Sequence, residues 1–189
     1  MSTFEIVAAL FGVVGVYLNV RQNVWTWPVG IVNVAMYVVV FYQAKLYADM
    51  GLQVIYIVLA LYGWYHWLYG GPRRTTLPVT RGLPRELLIA AGVGVIGAWG
   101  IGAVLARFTD ASLPYLDASL TSASLVAQWM ATRKLLENWL VWIVADLVYI
   151  GMFIYKQLYP TAVLYAVFTV LAVLGYRQWR ATLRAPVAA

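Results

Sequence analysis

The chain has 189 residues, of which 63% are apolar and only 11% are charged. Soluble domains carry about 25% charged residues, so this composition excludes an ordinary soluble domain and indicates a polytopic helical membrane protein. The absence of cysteine excludes disulfides, thiolate catalysis and cysteine-based metal sites. The net charge of +6 is better explained by loop residues that orient the chain in the membrane than by nucleic-acid binding.

Apolar runs long enough to cross a bilayer, about 20 residues each, recur along the whole chain. They predict seven transmembrane helices at about 4–20, 24–43, 47–68, 86–106, 114–132, 138–156 and 160–179. Most connections are very short, but the stretch 70–84 is rich in glycine and proline and cannot continue a helix. The fourth span holds five glycines between Gly92 and Gly102, which predicts a helix that packs closely on its neighbours.

The sequence of the first three spans recurs in the last three. Residues 12–67 and 124–179 share 16 identities in 56 positions without a gap. The rarer pairs include Arg21/Arg133, Trp27/Trp139, Tyr37/Tyr149, Gly63/Gly175 and Trp67/Trp179. One linker span lies between the two groups of three spans. Equivalent points are therefore four crossings apart, so both groups have the same orientation in the membrane. The predicted fold is therefore an all-α membrane protein of two parallel three-helix repeats joined by a linker helix, an architecture typical of transporters.

This repeat divides the chain into three parts. Residues 1–69 form the first three-helix repeat, 70–113 a cytoplasmic loop with the linker helix, and 114–189 the second repeat with a short tail. With seven spans, one side of the membrane receives ten basic residues and the other receives Lys45, Arg107 and Lys156. The positive-inside rule then predicts a cytoplasmic C-terminus and an external N-terminus.

The sixth span carries one full carboxylate, Asp146, within a long apolar run. Trp139, Trp142, Asp146 and Tyr149 stand at i, i+3, i+7 and i+10, so they share one helix face. A carboxylate in the middle of a membrane helix costs about 2.5–3.5 kcal/mol and usually marks a functional site. Framed by aromatic faces, it suits a small, flat, positively charged organic solute.

Two other spans offer polar side chains at a similar depth. The second span places Asn33 and Tyr37 on one face, and Asn33 aligns next to Asp146 in the repeat. The third span contributes Gln53 from the opposite side. Asn33 and Gln53 could instead form hydrogen bonds between helices. Tryptophans near span ends also fit anchors at the membrane interface, and these are Trp25, Trp64, Trp67 and Trp179.

The sequence contains no arrangement that predicts catalysis. It has no Ser/His/Asp set, no paired intramembrane carboxylates, no cluster of metal ligands and no phosphate-binding glycine loop. We therefore predict a protein that is not an enzyme, requires no cofactor or metal and is not driven by its own ATP hydrolysis.

Three segments resemble the PnuC family of bacterial vitamin transporters: 47–54, 61–67 with its Tyr-Gly-Trp-Tyr motif, and 132–142 with its Glu-Asn-Trp-x-x-Trp motif followed by Asp146. The resemblance covers almost the whole chain. It implies a SWEET-like fold of three, one and three helices, a homotrimer in the bacterial inner membrane, and uptake of nicotinamide riboside by facilitated diffusion with cytoplasmic phosphorylation trapping the product. It also implies a substrate site at Trp139, Trp142, Asp146, Asn33 and Gln53.

One departure from the family leaves the substrate open. Some members that carry nicotinamide riboside have asparagine where this chain has Asp146. An aspartate suits nicotinamide riboside and thiamine equally, because both are flat cationic heterocycles, so thiamine or another cationic vitamin is the alternative substrate. A membrane receptor or scaffold that does not transport is the alternative of a different class.

Overall fold

The computed structural model describes residues 3–43, 47–109 and 113–184, and within them the chain forms seven α-helices. They are α1 Thr3–Val20, α2 Thr26–Gln43, α3 Tyr47–Tyr69, α4 Pro84–Phe108, α5 Pro114–Thr132, α6 Asn138–Tyr155 and α7 Tyr159–Arg184. Each helix covers one predicted span, so the all-helical prediction is confirmed, although α7 runs to Arg184 rather than to 179. Lys45, which entered the charge count, and the tail after Arg184 lie outside the described residues.

By length and hydropathy alone, three helices in the described part of the chain can cross a membrane. These are Pro84–Phe108, Asn138–Tyr155 and Tyr159–Arg184. Shorter apolar helical stretches occupy Ile6–Val20 and Thr26–Val39. Seven complete crossings therefore stay a prediction.

Helices that are adjacent in sequence pack against each other within each half of the chain. In the first half α1 packs on α2 and α2 on α3, and in the second half α5 packs on α6 and α6 on α7. Helix α4 packs on α5, where Ser122 donates a hydrogen bond to the carbonyl of Gly94 over 2.8 Å. A Cβ on Gly97 would lie 2.5 Å from the Ser122 hydroxyl, so the absence of a side chain permits this close approach, as predicted.

Among the described helices, the two most extensive pairings between the halves are equivalent under the sequence repeat. They join α1 to α7 and α3 to α5. At the first, the indole nitrogen of Trp179 donates to the carbonyl of Asn19 over 3.2 Å. At the second, the indole nitrogen of Trp67 donates to the carbonyl of Ala131 over 3.0 Å. Both donors and both acceptors are separated by 112 residues, which is the offset of the repeat.

The segment between α3 and α4 lies across the connection between α5 and α6. The amide of Thr80 donates to the carbonyl of Lys134 over 3.1 Å, and the Leu136 amide donates back to the Thr80 carbonyl over 2.9 Å. The Gly82 amide donates to the carboxylate of Glu137 over 2.9 Å. Pro84 then begins α4 at a position where its missing N–H costs nothing. This segment, called the cover below, therefore packs on the connection between α5 and α6 and is not a free loop.

Lys134 lies beneath this cover with only 6% of its surface exposed. Its ammonium donates to the carbonyl of Leu77 over 2.9 Å and lies 4.3 Å from the ring centroid of Trp67. Among the residues that the structure describes, no carboxylate lies within ion-pair distance of it. Burial lowers the pKa of Lys134 to about 8, because the charged form loses its hydration.

The buried lysine predicts a stability that rises with pH. The unfolded chain keeps this proton up to a pKa near 10.5, whereas the folded chain releases it near 8. Between these values the unfolded state binds more protons, so raising the pH should raise the melting temperature by several degrees. In Lys134→Met, thermal unfolding in detergent should lack this rise, whereas Lys156→Met, at an exposed lysine, should keep it. Identical pH profiles for Lys134→Met and the parent would contradict the prediction.

Candidate functional site

A cavity of about 280 Å³ lies at the centre of the bundle. Helices α1, α2, α3, α6 and α7 form its wall, and α5 contributes Gln128. Its polar lining consists of Asn19, Thr26, Asn33, Tyr56, Gln128 and Asp146, and its aromatic lining includes Phe11, Trp27, Trp139, Trp142, Tyr165 and Phe168. The cavity therefore combines flat apolar surfaces with a few polar groups, which is the usual composition of a small-molecule site.

Four of the seven predicted site residues line this cavity: Asn33, Trp139, Trp142 and Asp146. Tyr149 does not line the cavity. The centroid of its ring lies 4.7 Å from that of Tyr165, and Tyr165 does line the cavity. Tyr37 and Gln53 are also absent from the lining. A role for these three in substrate binding stays a prediction, and the geometry places Tyr149 one layer behind the wall.

Asp146 is the central polar group of the cavity. Only 3% of its surface is exposed, and it makes no hydrogen bond or ion pair with any residue that the structure describes. A buried carboxylate without a partner is costly, by several kcal/mol if it remains charged. A cationic ligand inside the cavity would supply the missing partner.

In the first half of the chain, two polar lining residues form hydrogen bonds to the backbone of α1. The side-chain amide of Asn33 donates to the carbonyl of Ala8 over 2.6 Å, which ties α2 to α1 and leaves its oxygen as an acceptor. Thr26, at the start of α2, likewise donates from its hydroxyl to the carbonyl of Gly15 on α1 over 2.8 Å. Asn33 thus does form the interhelical hydrogen bond that was the alternative to a site role, and it lines the cavity as well.

Four tryptophans form a continuous row across one end of the cavity. Trp27 and Trp139 line the cavity, and each meets a second tryptophan edge to face: Trp27 with Trp67 at 5.3 Å, and Trp139 with Trp179 at 5.3 Å. Trp67 and Trp179 then meet each other at 6.0 Å. The row is symmetrical under the repeat and closes the end of the bundle at which α3 and α7 finish.

Trp67 and Trp179 are not the interface anchors that their positions near span ends allowed. Trp67 is 2% exposed and Trp179 is 0% exposed, whereas Trp25 is 63% exposed. Two glycines of the repeat admit the other two tryptophans of the row, because a Cβ on Gly63 would lie 2.4 Å from the indole of Trp27 and a Cβ on Gly175 would lie 2.5 Å from the indole of Trp139. Each glycine therefore lets one indole lie close against the neighbouring helix.

The sequence-based site omitted several lining residues, of which Trp27 is the most important. Its repeat partner, Trp139, was among the predicted residues, so the repeat itself was the signal that could have identified Trp27. Gln128 and Asn19 had weaker signals: Gln128 is one of several polar residues in its span, and Asn19 lies at the end of its span.

A cavity with a carboxylate and aromatic walls, lined by six helices of an all-helical bundle, is typical of a membrane transporter for a small organic solute. The chain belongs to the nicotinamide mononucleotide transporter family, which it matches over residues 2–181. This family includes the PnuC proteins, so the resemblance seen in the sequence motifs is confirmed. Its members are transporters and not enzymes.

Two curated relatives and one solved structure show how far the similarity extends. The nicotinamide riboside transporter PnuC of Escherichia coli K12 is 24% identical, over 95% of this chain and 85% of that protein. The riboflavin/roseoflavin transporter RibM of Streptomyces davaonensis is 25% identical, over 93% of this chain and 83% of its own length. A crystal structure of the vitamin B3 transporter PnuC superposes with a TM-score of 0.76 at 23% identity, over 96% of this chain and 82% of that one.

Proposed function

We propose that this protein carries nicotinamide riboside across the bacterial inner membrane by facilitated diffusion. The single observation that supports this most strongly is Asp146, a buried and unpaired carboxylate in the wall of the cavity. Nicotinamide riboside bears a permanent positive charge on a flat pyridinium ring. Such a ring gains both from the carboxylate and from the faces of Trp139 and Trp142, and each cation–π contact contributes about 0.5–2 kcal/mol.

Thiamine is the second candidate substrate, since its thiazolium ring offers the same charge and a similar shape. Riboflavin, the substrate in the name of one relative, is less suited. Its ring system is neutral and would leave the buried carboxylate of Asp146 without a partner.

We propose a SWEET-like architecture for transport, in which 1–69 and 114–189 are parallel three-helix repeats and 70–113 links them. The paired contacts of Trp67 with Ala131 and of Trp179 with Asn19 support this assignment, because they obey one offset of 112 residues. The cavity then lies between the repeats, as in other transporters built from internal repeats. Substrate-induced rocking of one repeat against the other would expose it to each side in turn.

The row of four tryptophans is the proposed closure on the cytoplasmic side. The row lies where α3 and α7 end, and ten of the thirteen basic residues fall on that side of the predicted topology. Release of substrate to the cytoplasm would require Trp67 and Trp179 to separate. Phosphorylation of the released product would then prevent its return, and a homotrimer, as the family resemblance implies, would carry three such pathways.

The topology predicts where fused reporters will be active. A phosphatase that works only outside the cytoplasm should be inactive after residue 184 and active when fused before residue 3. A fluorescent protein that matures only in the cytoplasm should show the opposite pattern. An active phosphatase at the C-terminus would contradict both the orientation and the cytoplasmic assignment of the tryptophan row.

Calorimetric titration of the purified protein tests the substrate proposal. Nicotinamide riboside should bind with saturation, whereas nicotinamide, which is neutral and lacks the ribose, should bind much more weakly. Tighter binding of thiamine would transfer the assignment to the alternative substrate. Tighter binding of riboflavin would overturn the proposal of a cationic vitamin. So would the absence of binding of nicotinamide riboside, thiamine and riboflavin alike.

A further inference from the structure

Three arginines line a shallow, open surface groove, the arginine groove, at the C-terminal end of α7. Arg177, Arg180 and Arg184 stand at i, i+3 and i+7, so they project from one helix face, with Ala181 between them. The opposite face of this helical segment is fixed to the turn between α1 and α2, where the Gln22 amide donates to the Thr182 hydroxyl over 3.0 Å. The arginine groove is therefore carried by a rigid helix and not by a loose tail.

Within the part of the chain that the structure describes, the arginine groove has no anionic partner. In residues 3–43, 47–109 and 113–184, the one ion pair joins Arg133 to Glu86, and the arginines of the groove take no part in it. The Nε of Arg180 is buried and has no hydrogen-bond acceptor. Residues 185–189 include no acidic side chain. A buried guanidinium N–H without an acceptor is unfavourable, and phosphate oxygens match the planar fork of arginine well.

The length of α7 places the arginine groove at the level of lipid headgroups. The helix has 26 residues, so at 1.5 Å per residue it is about 39 Å long, whereas the hydrocarbon core is about 30 Å thick. With the start of α7 at one hydrocarbon boundary, the excess of about 9 Å equals about six residues, so Arg180 and Arg184 extend out of the hydrocarbon and Arg177 lies near its edge, where a long side chain reaches the headgroups. On the predicted topology this is the cytoplasmic leaflet, where anionic lipids attract basic side chains.

The surface next to the arginine groove is apolar, which favours a lipid over a soluble anion. Val170 and Val173 lie on the same helix face, seven and four residues before Arg177, and they are 60% and 41% exposed. An acyl chain can follow these valines while its phosphate lies among the arginines. A free phosphate would contact the arginines but not the valines.

We propose that Arg177, Arg180 and Arg184 form a binding site for the headgroup of an anionic phospholipid, separate from the transport cavity. The guanidinium groups hold the phosphate, and the exposed valines contact an acyl chain. Bound lipid then fixes the end of α7 beside the tryptophan row.

Native mass spectrometry and thermal unfolding in a neutral detergent test this site. Phosphatidylglycerol should remain bound to the parent protein and raise its melting temperature by several degrees, and phosphatidylcholine should do neither. The triple variant R177Q/R180Q/R184Q should lose most of the retained lipid and most of the temperature shift. The control R73Q/R74Q/R81Q removes the same charge from exposed arginines of the linker and should behave like the parent.

Two further measurements keep the result interpretable. Arg180→Lys keeps the charge but not the planar fork, so it should fold normally and retain lipid several-fold less well. Glycerol 3-phosphate and inorganic phosphate offer the anion without acyl chains and should stabilise the protein much less than phosphatidylglycerol. Equal stabilisation by inorganic phosphate would show a soluble-anion site instead. Equal lipid retention by the two triple variants would overturn the proposal.

Discussion

Replacing Asp146 by asparagine is expected to weaken the binding of nicotinamide riboside by roughly 5- to 150-fold. The change keeps the size and the hydrogen-bonding capacity of the side chain but removes its charge. Loss of a charge-assisted contact costs about 1–3 kcal/mol, which corresponds to that range in Kd. Calorimetry on folded, monodisperse protein measures the effect directly.

The control for this substitution is Asp117→Asn, in the first turn of α5 and outside the cavity lining. It makes the same chemical change and should leave the Kd unchanged. The folded state of the Asp146→Asn variant should be at least as stable as that of the parent, because the substitution removes a buried charge without a partner. If Asp146→Asn binds as tightly as the parent, the carboxylate does not pair with the substrate cation.

Replacing Trp179 by alanine is expected to lower the free energy of unfolding by about 3–5 kcal/mol, the usual cost of truncating a large buried aromatic side chain. Trp179 is completely buried, contacts both Trp67 and Trp139, and donates the hydrogen bond that joins α7 to α1. Its repeat partner makes equivalent contacts, so Trp67→Ala should cost a similar amount. Thermal or denaturant unfolding in detergent measures both.

The matched control is Trp99→Ala on the linker helix α4, where 71% of the tryptophan surface is exposed. This variant should lose less than about 1 kcal/mol. A large loss for Trp179→Ala together with a negligible loss for Trp67→Ala would contradict the equivalence of the two halves. It would also remove the support for a cytoplasmic closure formed by tryptophans of both halves.

Much of this fold was predictable from the sequence, because helix ends and repeats leave local signals. Glycine and proline between residues 70 and 84 predicted the interruption before α4, and Pro84 begins that helix. The offset of 112 residues predicted which residues are equivalent, and the hydrogen bonds of Trp67 and Trp179 obey it. Apolar periodicity was of little use, since helices that face both lipid and protein are apolar on all sides.

The candidate site was only partly predictable, because helical spacing identifies a face but not what covers it. Trp139, Trp142 and Asp146 share a face and do line the cavity, whereas Tyr149, one turn further on, is covered by Tyr165 from α7. Likewise, no local signal separates a buried tryptophan near a helix end from an interface anchor. Contacts between residues distant in sequence, such as the one between Trp67 and Trp179, bury these two side chains.

Counterflow in liposomes tests the central claim most directly. Purified protein is reconstituted into vesicles loaded with unlabelled nicotinamide riboside, and labelled nicotinamide riboside is added outside. A facilitated-diffusion carrier should accumulate label transiently and saturably without ATP or an ion gradient, and Asp146→Asn should require a higher substrate concentration for the same rate. Absence of counterflow from vesicles whose protein still binds the substrate would contradict transport and favour a receptor that binds without carrying.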